Sequence, residues 1–217
     1  MTPLWTVALC VWSQVPAFTP AEADLGAEAD AIIAKYEPLV AAEPRDVAGL
    51  YVLGMAYFKK GWNAKAMQVF EQVITLSPRD DNGFYALGLC LRRAKEYERA
   101  RRALTTAVQL SRGESDALFD LGLTYLEMNR LDDAAETFRR AATARPSFAA
   151  AHYNLGVIYG QLGKLEAAID ELQATLRLQP TYAPALLAIG KMYAARGGSE
   201  QAVESFNRAA QAGEGAI

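Results

Sequence analysis

Apolar side chains recur along most of the chain at the spacing of one helix face. In the stretch "LYVLGMAY", Leu50, Leu53, Gly54 and Tyr57 stand at positions i, i+3, i+4 and i+7. This spacing places them on one stripe of an amphipathic α-helix. A second stripe with the same spacing follows in residues 66–73. The pattern therefore predicts two consecutive helices that bury their apolar faces.

The helix pair occurs in five consecutive copies, with no insertion or deletion. The distance from one copy to the next is that from Gly54 to Gly88. Small residues that would allow close helix packing mark the period, and they are Gly54, Gly88, Gly122, Gly156 and Gly190 in the first helices and Ala66, Ala100, Ala134, Ala168 and Ala202 in the second helices. The copies span residues 47–80, 81–114, 115–148, 149–182 and 183–214. One helix pair cannot cover its own apolar stripe, so we expect neighbouring pairs to stack.

The repeated pattern resembles that of the tetratricopeptide repeat family. Each copy follows W/L-x-x-L-G-x-x-Y and then A-x-x-x-F/Y-x-x-A, with single departures, and three copies close with Pro78, Pro146 or Pro180. The length of the period is also that of this family, and the resemblance covers residues 47–214. It implies an all-α fold, a right-handed solenoid of stacked antiparallel helix pairs.

The segment before the first copy, residues 18–46, predicts a half repeat, a single helix that covers the first edge of the stack. Thr19-Pro20-Ala21-Glu22 has the pattern of a capping box with proline at the first helical position. Pro38 is expected to kink or break this helix because proline has no N–H to donate.

Residues 1–17 differ from the rest of the chain. An apolar run ends at Val15-Pro16-Ala17, which suits a signal-peptidase site, although no Lys or Arg precedes Lys35. We expect a signal peptide and a periplasmic or secreted protein. The alternatives are a disordered tail and a cytoplasmic protein.

Three glycines in "HYNLGVIYGQLGK" raise two other functions. Gly156, Gly160 and Gly163 before Lys164 could form a phosphate-binding loop, and the first two could form a membrane helix contact. A phosphate loop would follow a β-strand, and the sequence shows none. Gly156 fits the helix-contact position of the fourth repeat, and Gly163 fits a turn position shared with Gly61 and Gly197. Gly160 has no counterpart in the other copies.

The composition argues against catalysis, a metal site and nucleic-acid binding. The chain has a single histidine, His152, and two cysteines, Cys10 and Cys90, which are too few for a zinc site. We interpret His152 as a packing residue and Cys90 as a buried thiol. The net charge of −3 does not suit a nucleic-acid surface. We therefore expect a protein that is not an enzyme and needs no cofactor.

The resemblance also implies a binding surface. In the family, repeat positions 2, 5, 9, 12 and 13 of the first helices point into a concave groove. Position 9 is usually a polar Asn there, whereas four of the five copies here are apolar. The expected groove residues are Tyr51, Met55, Phe58, Tyr85, Leu89, Arg92, Phe119, Leu123, Tyr153 and Val157. An extra apolar stripe suits a protein or peptide segment as partner.

One known function of the family does not fit. A subgroup binds C-terminal carboxylates through a clamp of Lys, Asn and Arg in the groove, but the corresponding positions of the first three repeats hold other residues. These residues are Tyr51, Met55, Ala86, Asp116 and Asp120.

The sequence thus predicts a protein–protein interaction scaffold or adaptor. Two alternatives remain open. The chain could self-assemble as a homo-oligomer through its C-terminal edge, which no further helix covers in this sequence. It could also be the interaction subunit of a larger envelope or export complex.

Overall fold

The computed structural model describes residues 22–214, and every regular element in this range is an α-helix. The helices are α1 Glu22–Ala42, α2 Val47–Lys59, α3 Asn63–Leu76, α4 Asp81–Arg93, α5 Tyr97–Leu110, α6 Ser115–Glu127, α7 Leu131–Ala144, α8 Ala149–Gln161, α9 Leu165–Leu178, α10 Ala183–Arg196 and α11 Ser199–Glu214. Short connections join them. The prediction of an all-α fold is confirmed.

Contacts group the chain into two compact units, residues 1–94 and 95–217. The described part of unit 1 holds α1 to α4, and that of unit 2 holds α5 to α11. Within each unit, consecutive helices pack against one another. Such short connections make neighbouring helices antiparallel.

In unit 1 the apolar stripes of the sequence form the core. Leu50 and Leu53 of α2 are buried together with Phe70 and Val73 of α3. Helix α1 packs on α2 and buries Ile33.

Of the kink or break expected at Pro38, the break is wrong, because α1 continues through this residue to Ala42. Two residues that precede Pro38 in α1 contact α2 or the residue that follows it. The Tyr57 hydroxyl donates to Glu37, and the ammonium group of Lys60 lies 2.9 Å from the Asp30 carboxylate. These contacts hold α1 against its neighbour.

Among the described residues of unit 2, two apolar clusters make up part of the core. One surrounds Phe138 of α7 and Leu155 and Ile158 of α8. The other surrounds Leu172 of α9 and Ile189 of α10. Each cluster joins helices of successive repeats, as expected when one pair cannot bury its own stripe.

The turns inside the pairs share one backbone geometry. Gly61, Gly163 and Gly197 have φ between 73° and 89°, as expected for turn glycines, while Lys95 and Asn129 take the same left-handed conformation with φ of 63° and 57°. These five positions are equivalent in the repeat register. In four of the five turns the N–H of the following residue bonds the carbonyl oxygen five positions back, which ends the first helix in a Schellman motif.

The glycines inside the helices lie where another side chain crosses closely. A Cβ on Gly122 would lie 2.8 Å from the Phe138 ring, and one on Gly54 would lie 2.8 Å from Phe70. Gly160, for which the sequence offered no account, meets Met192: a Cβ there would lie 2.7 Å from its sulfur. Gly160 therefore lies where α8 contacts α10, the first helix of the next repeat.

The expected signal peptide, residues 1–17, and the start of the capping box at Thr19 lie outside the described residues. Within residues 22–214, no helix has both the length and the apolar character that crossing a bilayer requires.

Candidate functional site

In unit 1, the expected groove residues of α2 and α4 are all half-buried. We call Tyr51, Met55, Phe58, Tyr85, Leu89 and Arg92 the α2–α4 face. They lie beside the buried stripe of the same helices, which includes Leu53 and Leu87. Each of these residues remains partly accessible to solvent.

Tyr51 rests on the core through its ring. Its ring centroid lies 5.7 Å from that of Phe70, in an edge-to-face arrangement at 63°. Burial raises the pKa of the Tyr51 hydroxyl, and the nearby carboxylates of Asp80 and Asp81 raise it further. The hydroxyl therefore stays protonated at neutral pH and presents a hydrogen-bond donor beside an apolar ring.

Phe58 is held by an arginine from the next first helix. The Arg93 guanidinium carbon lies 5.3 Å from the Phe58 ring centroid, and Arg93 Nη1 donates to the Phe58 carbonyl oxygen at 3.0 Å. A cation over an aromatic face is stabilising. The contact fixes the edge of the α2–α4 face nearest the C-terminal ends of both helices.

In unit 2, the four remaining groove residues are half-buried on α6 and α8. These residues are Phe119, Leu123, Tyr153 and Val157. Leu187 of α10 is the counterpart of Phe119 and Tyr153 in the fifth repeat, and its side chain is 46% exposed. We call these five residues the α6–α8–α10 face.

Phe119 has a structural role as well as an exposed edge. Its ring centroid lies 5.4 Å from that of the buried Phe138 and 4.8 Å from that of Phe148. Leu123 packs against the same core cluster. Substitution of Phe119 would therefore disturb the fold more than substitution of Val157.

Tyr153 also packs edge-to-face, with its ring centroid 5.3 Å from that of Tyr182. Burial raises the pKa of the Tyr153 hydroxyl to about 12, with a smaller contribution from Tyr182. Tyr153 thus offers a neutral donor.

An ion pair borders the α6–α8–α10 face. Asp116, at position 2 of the third repeat, accepts a hydrogen bond from Arg145 Nη2, and the Arg145 guanidinium stacks 3.9 Å from the Phe148 ring centroid. Lys191 is exposed on α10. The apolar face therefore has charged groups at its rim, as interaction surfaces commonly do.

Two residues considered for catalysis have other environments. Cys90 is fully buried, and burial raises the pKa of its thiol to about 12, so the nucleophilic thiolate does not form at neutral pH. His152 is not only a packing residue, since its Nδ1 lies 2.6 Å from Glu171 Oε2 and its Nε2 lies 3.1 Å from the Pro146 carbonyl oxygen. Leu50 and Leu118 occupy the equivalent position in other repeats, so the repeat pattern did not indicate this polar role.

A metal centre also lacks ligands in the part of the chain that the structure describes. No three His, Cys, Asp or Glu side chains between residues 22 and 214 form a group that could hold an ion. The side chains of the two faces thus offer apolar and aromatic contacts, with charged groups at the rim of the α6–α8–α10 face.

A comparison with family models identifies the repeats. The model described as "Tetratricopeptide repeat" matches residues 29–81, 119–183 and 159–217, which together make up more than half of the chain. The chain belongs to the tetratricopeptide repeat family. Residues 63–141 also match the model of "Anaphase-promoting complex, cyclosome, subunit 3". No curated protein matches the chain.

Solved structures of tetratricopeptide repeat proteins have a similar fold. MamA AMB-1 is 26% identical, with a TM-score of 0.70 over 79% of this chain and 93% of that one. MamA from Desulfovibrio magneticus RS-1 is 22% identical, with a TM-score of 0.73 over 79% and 97%. YrrB, described as "a TPR protein with an unusual peptide-binding site", is 17% identical, with a TM-score of 0.72 over 82% and 92%.

Membership of the tetratricopeptide repeat family supports an interaction scaffold, since such repeats are generally interaction modules without catalytic activity. The family pattern explains the buried stripe of each first helix, including the glycines. It does not require apolar residues at position 9, where Met55, Leu89, Leu123 and Val157 are half-buried.

Proposed function

We propose that this chain is a non-enzymatic scaffold that binds an apolar segment of a partner protein on the first helices of its repeats. The observation that supports this is the second apolar stripe at position 9, half-exposed on α2, α4, α6 and α8. Side chains that pack only between helices would be buried, as Leu53 and Leu121 are.

The α6–α8–α10 face has the chemistry of a peptide site. Its aromatic rings are held by edge contacts to the core, so little side-chain entropy is lost when a partner packs on them. The Tyr153 hydroxyl stays protonated and can donate to a peptide carbonyl group. A partner helix with apolar side chains at positions i, i+3, i+4 and i+7, or an extended apolar segment, would complete the face. The peptide-binding site named for YrrB is consistent with this proposal.

The test is a peptide selection. The full chain is immobilised, peptides are selected from a displayed library, and the affinity of a selected peptide is measured for wild type and variants. Leu123→Asp with Val157→Asp should weaken binding roughly tenfold or more, because a carboxylate would be desolvated against the apolar segment. Met55→Asp with Leu89→Asp tests the α2–α4 face separately.

A matched control is available on a second helix. Leu178 on α9 is 41% exposed, so Leu178→Asp makes the same type of substitution away from both faces and serves as the control for each single Asp substitution. Far-UV circular dichroism confirms that all variants stay folded. If the Leu178→Asp variant loses the peptide as strongly as the others, or if the face variants bind normally, the proposed surface is wrong.

Self-assembly is a second candidate, and one observation favours it. Helix α11 leaves Val203 57% and Phe206 36% exposed. A second copy of the chain that packs there would bury both side chains. Sedimentation velocity over a hundredfold range of concentration tests this: association that Val203→Asp abolishes supports self-assembly, and a mass that stays monomeric excludes it.

For residues 1–17 we propose an export function, supported only by their sequence pattern. N-terminal sequencing of the protein recovered from its native cells tests it. A mature chain that begins after Ala17 supports export, and one that begins at Met1 contradicts it.

A further inference from the structure

Unit 2 contains a cavity that the face described above does not include. It is framed by α9, α10 and α11, and its volume is about 360 Å³. This size falls within the range of small-ligand sites in proteins. The cavity is large enough for a group of one or two amino acids.

The cavity lies on the other side of α10 from the α6–α8–α10 face. Ile189 and Tyr193 line the cavity. Ile189 lies two positions after Leu187, and Tyr193 lies two positions after Lys191, and both Leu187 and Lys191 are exposed on α10. Each residue of an α-helix turns by about 100°, so two residues turn by about 200°. A ligand in the cavity would therefore not touch a partner on the exposed face.

Two solvent-exposed arginines line the cavity. Arg177 comes from α9 and Arg208 from α11. Within residues 22–214, neither guanidinium makes a hydrogen bond or an ion pair. Glu204 also lines the cavity, so the net charge of its lining is about +1. This charge suits a ligand with one negative charge better than a polyphosphate.

The repeat pattern does not account for these arginines. The corresponding positions one repeat earlier, on α7 and α9, hold Thr143 and Ala174. Helices of the same type pack there without either charge. The arginine pair is thus a feature of the last two second helices and not of the fold.

The rest of the lining combines an apolar floor with oriented polar groups. Ile189 is buried and Leu176 is half-buried. The Tyr193 hydroxyl accepts a hydrogen bond from Gln173 Nε2 at 3.0 Å, which leaves its own proton to donate. Gln201 accepts from Arg196 through its side-chain oxygen, so its amide N–H groups remain available.

We propose that this cavity binds a monoanionic carboxylate with an apolar body. A guanidinium group matches the planar geometry of a carboxylate and can donate two parallel hydrogen bonds to it. Arg177 and Arg208 hold the carboxylate, and the floor of Leu176 and Ile189 receives the apolar part. The same chemistry occurs in small organic acids and in the C-terminal residue of a peptide.

The experiment is an NMR titration of the isotope-labelled full chain at low salt with N-acetyl-leucine as the probe. We expect saturable shifts at the amides of Gln173, Tyr193 and Ser205, with a Kd on the order of 1 mM for a ligand of this size. N-acetyl-leucinamide, which lacks the charge, should bind at least roughly tenfold more weakly. Equal binding of the amide, or tighter binding of inorganic phosphate, would overturn the proposal.

Variants locate the site. Arg177→Ala with Arg208→Ala should weaken N-acetyl-leucine binding by roughly tenfold or more. Arg140→Ala is the control, because Arg140 is the counterpart of Arg208 in the third repeat, with Gln109 and not an arginine opposite it in the repeat register. The Leu123→Asp, Val157→Asp variant should bind normally, which separates this site from the proposed partner surface. Unchanged binding by the double arginine variant would refute the assignment.

A peptide arm distinguishes the two sources of the carboxylate. Acetyl-Ala-Ala-Leu with a free carboxylate is compared with N-acetyl-leucine and with the amidated peptide. Tighter binding of the free peptide assigns the cavity to a peptide C-terminus. Binding of N-acetyl-leucine alone assigns it to a small acid. If none of the carboxylates shifts the lining signals at about 20 mM, a concentration well above the expected Kd, the cavity has no such function.

Discussion

Replacement of Gly122 by alanine tests the packing of the helix pairs most directly. A Cβ at this position would lie 2.8, 2.9 and 3.0 Å from three carbons of the Phe138 ring. Phe138 is fully buried and is also held edge-to-face by Phe119. The ring cannot give way without moving its neighbours, so the added methyl group strains the contact.

Two opposing effects determine the magnitude. Alanine favours the helix over glycine by about 0.5–1 kcal/mol. Overpacking of a rigid core costs about 1–3 kcal/mol. The difference spans about 0–2.5 kcal/mol, and we expect Gly122→Ala to lower the free energy of unfolding by about 1 kcal/mol, near the centre of that range.

Gly160 provides the matched control. It lies in the next first helix, and its added Cβ would lie 2.7 Å from the sulfur of Met192 and 3.0 Å from its terminal methyl. The end of a methionine side chain can rotate away at little cost. Gly160→Ala should therefore change the free energy of unfolding by less than about 0.5 kcal/mol, or stabilise the protein.

The assay is urea denaturation followed by far-UV circular dichroism, with the two variants measured beside the wild type. A Phe138→Ala background completes a double-mutant cycle. Without the ring, Gly122→Ala should become neutral or stabilising. A denaturation midpoint for Gly122→Ala at or above that of the wild type would refute the packing argument, and a cost that persists in the Phe138→Ala background would show that the ring is not its cause.

Three further predictions concern the turns, a polar bridge and the buried acids. Lys95→Gly should stabilise the protein by about 0.5–1 kcal/mol and Gly163→Ala should destabilise it by about 1 kcal/mol, since both positions have positive φ; opposite signs in urea denaturation would contradict this. His152→Leu restores the repeat residue and should change stability by less than about 1 kcal/mol, because the bridge to a partly exposed carboxylate contributes little; a loss above about 3 kcal/mol would mean an essential bridge. Burial raises the pKa values of Cys90 and Tyr153 to about 12, so the folded state holds these protons more tightly than the unfolded state. The contribution of these two groups to stability should be constant below about pH 8 and fall as the pH rises from there towards 12; a urea midpoint that stays constant from about pH 8 to pH 11 would contradict this.

The repeat fold could be predicted because its information is local and is present five times. The positions of Leu53, Gly54 and Tyr57 recur in every copy with little change, and the period of the α-helix places them on one stripe. Because one helix pair cannot bury its own apolar stripe, the pattern requires a neighbouring helix pair to cover it. The family pattern and the all-α fold follow from these facts.

Departures from the period were harder to interpret. Pro38 predicted a kinked or broken helix, and α1 does not break there, with Glu37 bonded to Tyr57 of α2 and Asp30 paired with Lys60. His152 occupies a leucine position, yet it bonds Glu171 on the following helix. A pattern of single positions does not show which side chain a residue will meet on the next helix.

The sequence by itself determined the helices, their pairing and the apolar character of the first-helix faces, since each depends on the type and spacing of residues along one helix. Only the tertiary structure decided which atoms lie opposite one another. It placed Met192 against Gly160, and it brought Arg177 and Arg208 to one cavity although a whole helix, α10, separates them in the sequence. Such contacts depend on how packed helices align, and that alignment results from all the side chains of both helices together.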